Sequence, residues 1–303
     1  MTCNPIVFFV YKRPECARVV FDQIRKAKPP ILIFVSDGPR NIEEASLVFE
    51  SRSLCELVDW NCRVIRIFSE INLGCKKRFF TALDTVFDEF EQAIILEDDC
   101  VPHNDFFEFC DWGLQEFKDN NNVAIISGSN LHQTDKNLRN NFSRYMSCWG
   151  WATWSRTWRN INRYIGIRDL NQMRQQMLIA KFSRWEALFW SEVLKHTICS
   201  NSIWDFYVQH FMFQTHSLSV FPGSNLIKNI GFGDSATHTF GNIPEYVLNN
   251  TPELASTIMS FSPSLSIQPD YQRDRELAAK IWSCTPLMSI RLLITNAIRF
   301  IKA

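Results

Sequence analysis

The sequence carries no net charge: its 32 Lys and Arg residues are balanced by 32 Asp and Glu. The totals therefore favour no nucleic-acid partner, which would call for a basic surface. Long apolar runs are missing too. No stretch approaches the roughly 20 apolar residues that cross a bilayer. The opening Met1-Thr2-Cys3-Asn4-Pro5 lacks the basic region and apolar run of a leader. The expected location is cytoplasmic, including the inner face of the membrane as a peripheral site. The ten cysteines form no Cys-x-x-Cys pair and no Cys/His cluster with zinc spacing. Several sit in apolar runs, where a thiol acts as a small hydrophobe, so a reduced compartment fits. No linker or internal repeat interrupts the chain, which points to one domain. Aromatic residues are plentiful at 14% of a 303-residue chain that is 46% hydrophobic. That is enough for one large α/β core, and such rings line pockets as well as cores.

The first 130 residues alternate short apolar runs with longer amphipathic ones. Strands are predicted at 6–10, 31–35, 64–68, 93–96 and 123–127, and helices at 15–26, 43–57, 76–90 and 106–117. Pro14 suits the first turn of the first helix. This alternation predicts βαβ units in a mostly parallel, doubly wound, Rossmann-like sheet with helices on both faces. Near-continuous apolar strands agree, because both faces of such a sheet are covered. Ligands of these sheets bind beyond the carboxyl ends of the strands. Three strand ends should therefore share one rim: Tyr11-Lys12-Arg13, Ser36-Asp37-Gly38 and Glu97-Asp98-Asp99. After residue 140 the rhythm breaks. A Trp-rich stretch at 145–158 precedes helices predicted at 183–196 and 202–213 and a Gly-containing polar loop at 231–241. The last stretch, 286–303, is apolar with Arg291, Arg299 and Lys302 spread through it. It reads either as a basic amphipathic helix at a membrane surface or as a helix packed on the core.

Glu97-Asp98-Asp99 is the sharpest feature. Three consecutive acids at a strand end repel one another unless something positive sits among them. A divalent cation carrying a diphosphate meets that need, since hard carboxylate oxygens hold Mg²⁺ or Mn²⁺ and the metal bridges phosphate oxygens. The competing reading is a solvated acidic turn. Asp37, on the same rim, could accept from a base or ribose. Arg13 and Lys76-Lys77-Arg78 at a helix start could meet phosphates. Each basic residue alone reads as a surface charge, while the whole rim reads better as a nucleotide-diphosphate site.

Pro5-Ile6-Val7-Phe8-Phe9-Val10-Tyr11-Lys12-Arg13-Pro14, Val35-Ser36-Asp37-Gly38, Asn72-Leu73-Gly74 and Ile95-Leu96-Glu97-Asp98-Asp99-Cys100-Val101-Pro102 together resemble the nucleotide-diphospho-sugar transferases of the GT-A fold. The resemblance is to a bacterial group, some of whose members are labelled hemolysin-like, and more distantly to the N-acetylglucosaminyltransferase I family. The bacterial group also carries Trp149-Gly150-Trp151-Ala152-Thr153-Trp154 and Asn229-Ile230-Gly231-Phe232-Gly233-Asp234-Ser235-Ala236-Thr237-His238-Thr239. The match spans about residues 5–240. It implies a GT-A domain over 1–245, with 1–130 binding the nucleotide and 131–245 the acceptor, and a C-terminal extension at 246–303. It further implies a metal-dependent glycosyltransferase with a nucleotide-sugar donor, UDP-sugar favoured, and a glycan or lipid-linked acceptor. In that fold the last acid of the triplet, Asp99, ligates Mn²⁺ or Mg²⁺ while Glu97 and Asp98 face the nucleoside. Asp37 reads the base, and Tyr11, Arg13 and Lys76 lie along the donor.

In the second half, Ile203-Trp204-Asp205 resembles the region that supplies a catalytic base in the acetylglucosaminyltransferase family. Independently, an inverting transfer needs a carboxylate to take the acceptor's proton, and Trp204 would raise the Asp205 pKa by excluding water. Ser202-Ile203-Trp204-Asp205 also fits a helix cap, and Glu192 and Asp234 are alternative bases. His238 is either a second metal ligand, which suits Mn²⁺, or structural. Trp149, Gly150 and Trp151 either approach donor and acceptor, Gly150 and Trp151 being nearer, or form core. A sugar nucleotidyltransferase is disfavoured because no Gly follows the first strand at Tyr11-Lys12-Arg13-Pro14-Glu15. A catalytically silent carbohydrate-binding protein remains the reading from outside enzymology.

Overall fold

The computed structural model describes residues 2–131, 140–198, 203–232 and 266–302. The first half follows the predicted rhythm. Strand β1 (Ile6–Val10) leads through helix α1 (Pro14–Ala27) to β2 (Ile31–Ser36), α2 (Ile42–Ser53), β3 (Arg63–Phe68), α3 (Cys75–Glu89) and β4 (Gln92–Glu97). Pro14 opens α1, with Arg25 and Lys26 in its last turn complementing the helix dipole. The Asn41 side chain caps α2 by accepting from the Glu44 N–H at 3.0 Å.

Then come β5 (Cys100–Pro102), α4 (Asn104–Glu116), β6 (Val123–Ser127), β7 (Asn141–Ser143), β8 (Trp151–Trp154) and a short α5 (Ser155–Trp158). The second half adds α6 (Ile167–Ile179), α7 (Arg184–Ile198), α8 (Asp205–Thr215), β9 (Leu218–Phe221) and β10 (Ile227–Asn229). Two C-terminal helices, α9 (Tyr271–Lys280) and α10 (Pro286–Lys302), complete the described chain.

Eight strands form one sheet in the order β3-β2-β1-β4-β8-β6-β9-β7, and β5 pairs with β10 in a separate ribbon. The β3-β2-β1-β4 half is wholly parallel, while β8 runs antiparallel between β4 and β6. The architecture is α/β and Rossmann-like, as the GT-A resemblance implies, but its parallel character is concentrated in the first half.

Alternate residues of the parallel strands feed two cores. Val7, Phe9, Ile33, Val35 and Ile95 pack on one face with α3, α6, α7 and α8. Ile6, Phe8, Leu32, Phe34 and Ile94 pack on the other with α1 and α4. Both faces being covered explains why these strands are apolar throughout.

The C-terminal helices are built into the second half. Buried Asp274 of α9 accepts from Ser143 Oγ at 2.5 Å and Arg144 Nε at 2.6 Å. Helix α10 lies on α7, where the Asn296 amide donates to the Glu192 carbonyl at 2.9 Å and Ser289 Oγ to the Trp185 carbonyl at 3.0 Å. Ser289 and Asn296 thus face inward, while Leu287 and Ile294 are 79% and 54% exposed. The boundary expected at residue 245 lies outside the described residues.

Candidate active site

Because β2, β1 and β4 are parallel neighbours, with Val10 opposite Ser36 and Phe9 opposite Glu97, their carboxyl ends open on one rim. The structure brings Tyr11, Arg13, Asp37 and the acidic triplet together there. Arg13, just before α1, reaches back to the triplet. Its guanidinium pairs with Asp98 and, at 3.0 Å, with Asp99 Oδ2. Asp98, 4% exposed, also accepts from the Tyr11 N–H at 3.3 Å. Part of the positive charge that the triplet requires is therefore supplied by the chain itself.

The electrostatics follow from crowding and burial. Burial pushes the Asp98 carboxyl up to about 6, Arg13 pulling against it and Asp99 adding to it. Glu97, desolvated and beside both aspartates, is raised well above the usual carboxylate range. Burial opposes charge on Arg13 as well, but Asp98 and Asp99 outweigh it and hold the guanidinium protonated. A diphosphate arriving on this rim meets a guanidinium already engaged on both arms.

Two predicted contacts serve the scaffold. The Asp37 carboxylate is filled by backbone N–H groups: Gly38 at 3.0 Å, Leu73 at 2.9 Å and Gly74 at 2.9 Å. It holds the Asn72-Leu73-Gly74 turn, and hence the start of α3, against the rim. The Tyr11 hydroxyl donates to Glu44 Oε2 at 2.6 Å and accepts from the Asn72 amide at 3.0 Å. Glu44 also takes Lys12 Nζ at 2.8 Å and Arg40 Nε at 3.0 Å, and these donors, Arg40 first, lower its pKa against the effect of burial. Nothing in the sequence singled out Glu44, one acid among several on a helix. Lys76, in the first turn of α3, donates to the Tyr207 hydroxyl at 3.3 Å and sits over its ring at 5.3 Å, bridging the two halves.

The segment after β10 crosses the triplet. The Ile230 N–H donates to the Asp99 carbonyl at 2.8 Å, and a Cβ on Gly231 would lie 2.0 Å from Asp99 Oδ2. Only glycine allows the backbone to pass this close. Phe232 meets the Trp149 ring edge-on at 5.8 Å. His238 and Asp234 lie outside the described residues, as does Ser202.

From the second half, Asp205 stands at the first position of α8, after Trp204. Burial raises its carboxyl to about 6, while the N–H groups of its own helix turn and the Cys148 thiol favour its charged form. Glu97 and Asp205 are within electrostatic reach of one another across the site. Trp204 is buried, stacked on Phe79 at 4.3 Å and on Trp151 at 5.3 Å. The indole wall predicted beside Asp205 is thus part of the core.

Two readings need correction. Trp151 is fully buried in β8 and offers no face to a sugar, because its strand is inserted between β4 and β6. Gly150, at φ +62°, turns its Cβ position onto the Ile227 side chain at 2.4 Å, so packing alone already requires glycine there. Glu192, an alternative base, faces α10 and accepts from Lys195 Nζ at 2.6 Å and Asn296 Nδ2 at 3.1 Å, away from the rim.

Among the described residues no three His, Cys, Asp or Glu side chains form a complete metal shell. The donor set still fits a cation of the Mg²⁺ type, which takes one or two carboxylates and completes its shell with phosphate oxygens and water. Asp99, with its carboxylate partly exposed at 16%, is the candidate ligand.

Beside Asp205 opens a cavity of about 260 Å³. It shares Asp205 and Cys148 with the site but does not include the triplet, so the rim and the cavity are adjoining compartments.

No family model and no curated protein matches the chain. Among solved structures it is similar to the galactosyltransferase LgtC in complex with donor and acceptor sugar analogues, at 12% identity over 69% of this chain and 70% of that one, with a TM-score of 0.32. The apo WbbM bifunctional glycosyltransferase matches at 9% identity over 71% of this chain and 38% of that one, TM-score 0.32. UDP-glucose pyrophosphorylase complexed with UDP-glucose matches at 8% over 46% of this chain, TM-score 0.28, and the chain spans only 62% of its length. At these identities and scores the matches carry no argument about function.

Proposed function

We propose that the protein is a glycosyltransferase that moves a sugar from a nucleotide-diphosphate donor, UDP-sugar favoured, to a glycan or lipid-linked acceptor with inversion. The observation that carries this reading is the meeting of two acidic elements from opposite halves: the Glu97-Asp98-Asp99 rim of the parallel sheet, and Asp205 at the start of α8. The rim suits a sugar diphosphate. Arg13 orders Asp98 and Asp99, Asp37 fixes the 72–74 turn, and the start of α3 with Lys76 offers N–H groups and positive charge to phosphate. The charge of the leaving diphosphate would be offset at Asp99 by Mn²⁺ or Mg²⁺ acting as a Lewis acid.

Asp205 supplies the base. A carboxylate with a pKa of about 6 is ionised near neutral pH yet basic enough to accept a proton. It takes the acceptor's O–H proton as that oxygen bonds to the anomeric carbon. The bond to the diphosphate breaks on the opposite face, its electron pair leaving with the phosphate oxygen. The outward apolar residues of α10, with Arg291 and no acid from Pro286 onward, suit a peripheral membrane contact and hence a lipid-linked acceptor.

The test is a thermal-shift screen with UDP-, GDP- and dTDP-sugars, with and without Mn²⁺, on wild type and Asp99→Ala. The expected result is a metal-dependent rise in Tm with one nucleotide that the variant loses. No shift with any donor on folded protein would instead favour a silent carbohydrate-binding protein.

A further inference from the structure

The cavity beside Asp205 is walled by aromatic and aliphatic side chains, with Trp149, Trp190, Phe206, Leu277, Ile281 and Trp282 among them. Several of its polar wall groups are already committed, whereas the buried Trp190 Nε1 has no hydrogen-bond partner. Gln209 Oε1 accepts from the Met146 N–H at 2.9 Å and its amide donates to the Arg144 carbonyl at 2.9 Å. The Ser129 and Ser147 hydroxyls bond to each other. What the described lining offers a ligand is mainly apolar surface, with the Trp190 N–H and the Asp205 carboxylate, the latter where the cavity adjoins the rim. Desolvating the several hydroxyls of a sugar ring against walls with so few open polar groups is costly, while a hydrocarbon or aryl group loses nothing there. The volume of about 260 Å³ exceeds the ~150 Å³ that accommodates a benzene ring in a dry apolar cavity, so one ring or a short chain fits.

We propose that this cavity binds an apolar group of the acceptor, alkyl or aryl, attached next to the hydroxyl that Asp205 activates. This rests on the glycosyltransferase reading for the role of Asp205, while binding of the apolar group itself can be measured without turnover. Three of the named walls, Leu277, Ile281 and Trp282, belong to α9 and the turn after it. That gives the C-terminal segment a part in acceptor choice.

The experiment is binding of methyl, phenyl and n-octyl β-D-glucosides, the last below its micellar concentration, followed by tryptophan fluorescence of the full chain. The expected result is at least tenfold tighter binding of the phenyl or octyl compound than of the methyl one. Octyl above phenyl assigns an aliphatic chain, and phenyl above octyl an aryl group. Ile281→Trp, which fills the cavity away from Asp205 and the triplet, should bring both down to the methyl value while leaving the nucleotide-sugar thermal shift intact. Should that variant not fold, a bromoalkyl glucoside should quench wild-type fluorescence and quench Trp282→Phe measurably less. Equal affinity for all three glucosides, or apolar binding that neither variant alters, overturns the proposal. Apolar binding without any donor shift leaves the cavity assigned and removes the glycosyltransferase reading instead.

Discussion

The two halves of the molecule solve opposite problems at one junction. On the β3-β2-β1-β4 side, charged groups are concentrated and hold one another: Arg13 with Asp98 and Asp99, and Glu44 with Tyr11, Lys12 and Arg40. On the β8-β6-β9 side the wall is aromatic, several of its polar groups bond within it, and Asp205 is the one carboxylate among the described residues that line the cavity. A charged network suits a charged leaving group that must be gripped and released. An apolar wall around one acid raises that acid's pKa by desolvation. Under the proposed function, the difference teaches that donor and acceptor sides are tuned by different forces, so each half should fail in its own way.

The largest effect should come from the acceptor side. Asp205→Asn removes the proposed proton acceptor while keeping its shape, and kcat should fall by roughly 10²–10⁴. The donor-induced thermal shift should stay unchanged. A variant that also loses the donor shift would erase the division between the halves.

The donor side should fail through stability. Arg13→Ala strands two acids, Asp98 being 4% exposed, and removing one partner of such a buried pair costs about 3–5 kcal/mol. Urea unfolding at pH 7 measures this, and the loss should shrink at pH 5, where Asp98 can take up a proton. Arg13→Lys keeps the charge but not the two-armed geometry, and should fall between. A loss below about 1 kcal/mol for Arg13→Ala would mean that the pair is solvated, as an ordinary surface bridge is.

The same contrast explains what was legible in the sequence. The first half could be read because each of its strands is buried on both faces and each is followed by its own helix, so local pattern and topology agree. The triplet, Arg13 and Asp37 announce themselves by lying at strand ends. Their partners do not: that Arg13 neutralises Asp98 and Asp99, or that Asp37 binds the Leu73 and Gly74 N–H groups rather than facing open solvent, depends on contacts spanning 36 to 86 positions of sequence. Beyond residue 140 the strands are short and enter the sheet out of order, β8 between β4 and β6 and β7 at the far edge. A Trp-rich strand such as Trp151–Trp154 then looks like a binding motif. Asp205 is singled out by resemblance and by the need for a base, whereas the cavity next to it is assembled from α7, α8, β9, α9 and three loops and leaves no local trace.

The smallest effect probes the acceptor carboxylate through proton linkage. Burial takes Asp205 from 3.8 to about 6. Between those values the folded chain keeps a proton that the unfolded chain has released, so folding stability falls as pH rises through that interval and levels off above about 6. Asparagine has no charge to desolvate. Asp205→Asn should therefore match wild type in stability at pH 4 and exceed it at pH 7.5, by at most about 3 kcal/mol at ~1.4 kcal/mol per pKa unit. Partial exposure of the carboxylate works to reduce that figure. Asp98 titrates in the same range but is present in both proteins, so it cancels from the difference. Urea unfolding of the pair at the two pH values reads the Asp205 contribution together with its coupling to Glu97. A difference independent of pH would mean that this carboxyl titrates as a solvated group, and the acceptor side would then lose the low-dielectric wall that sets it apart from the donor side.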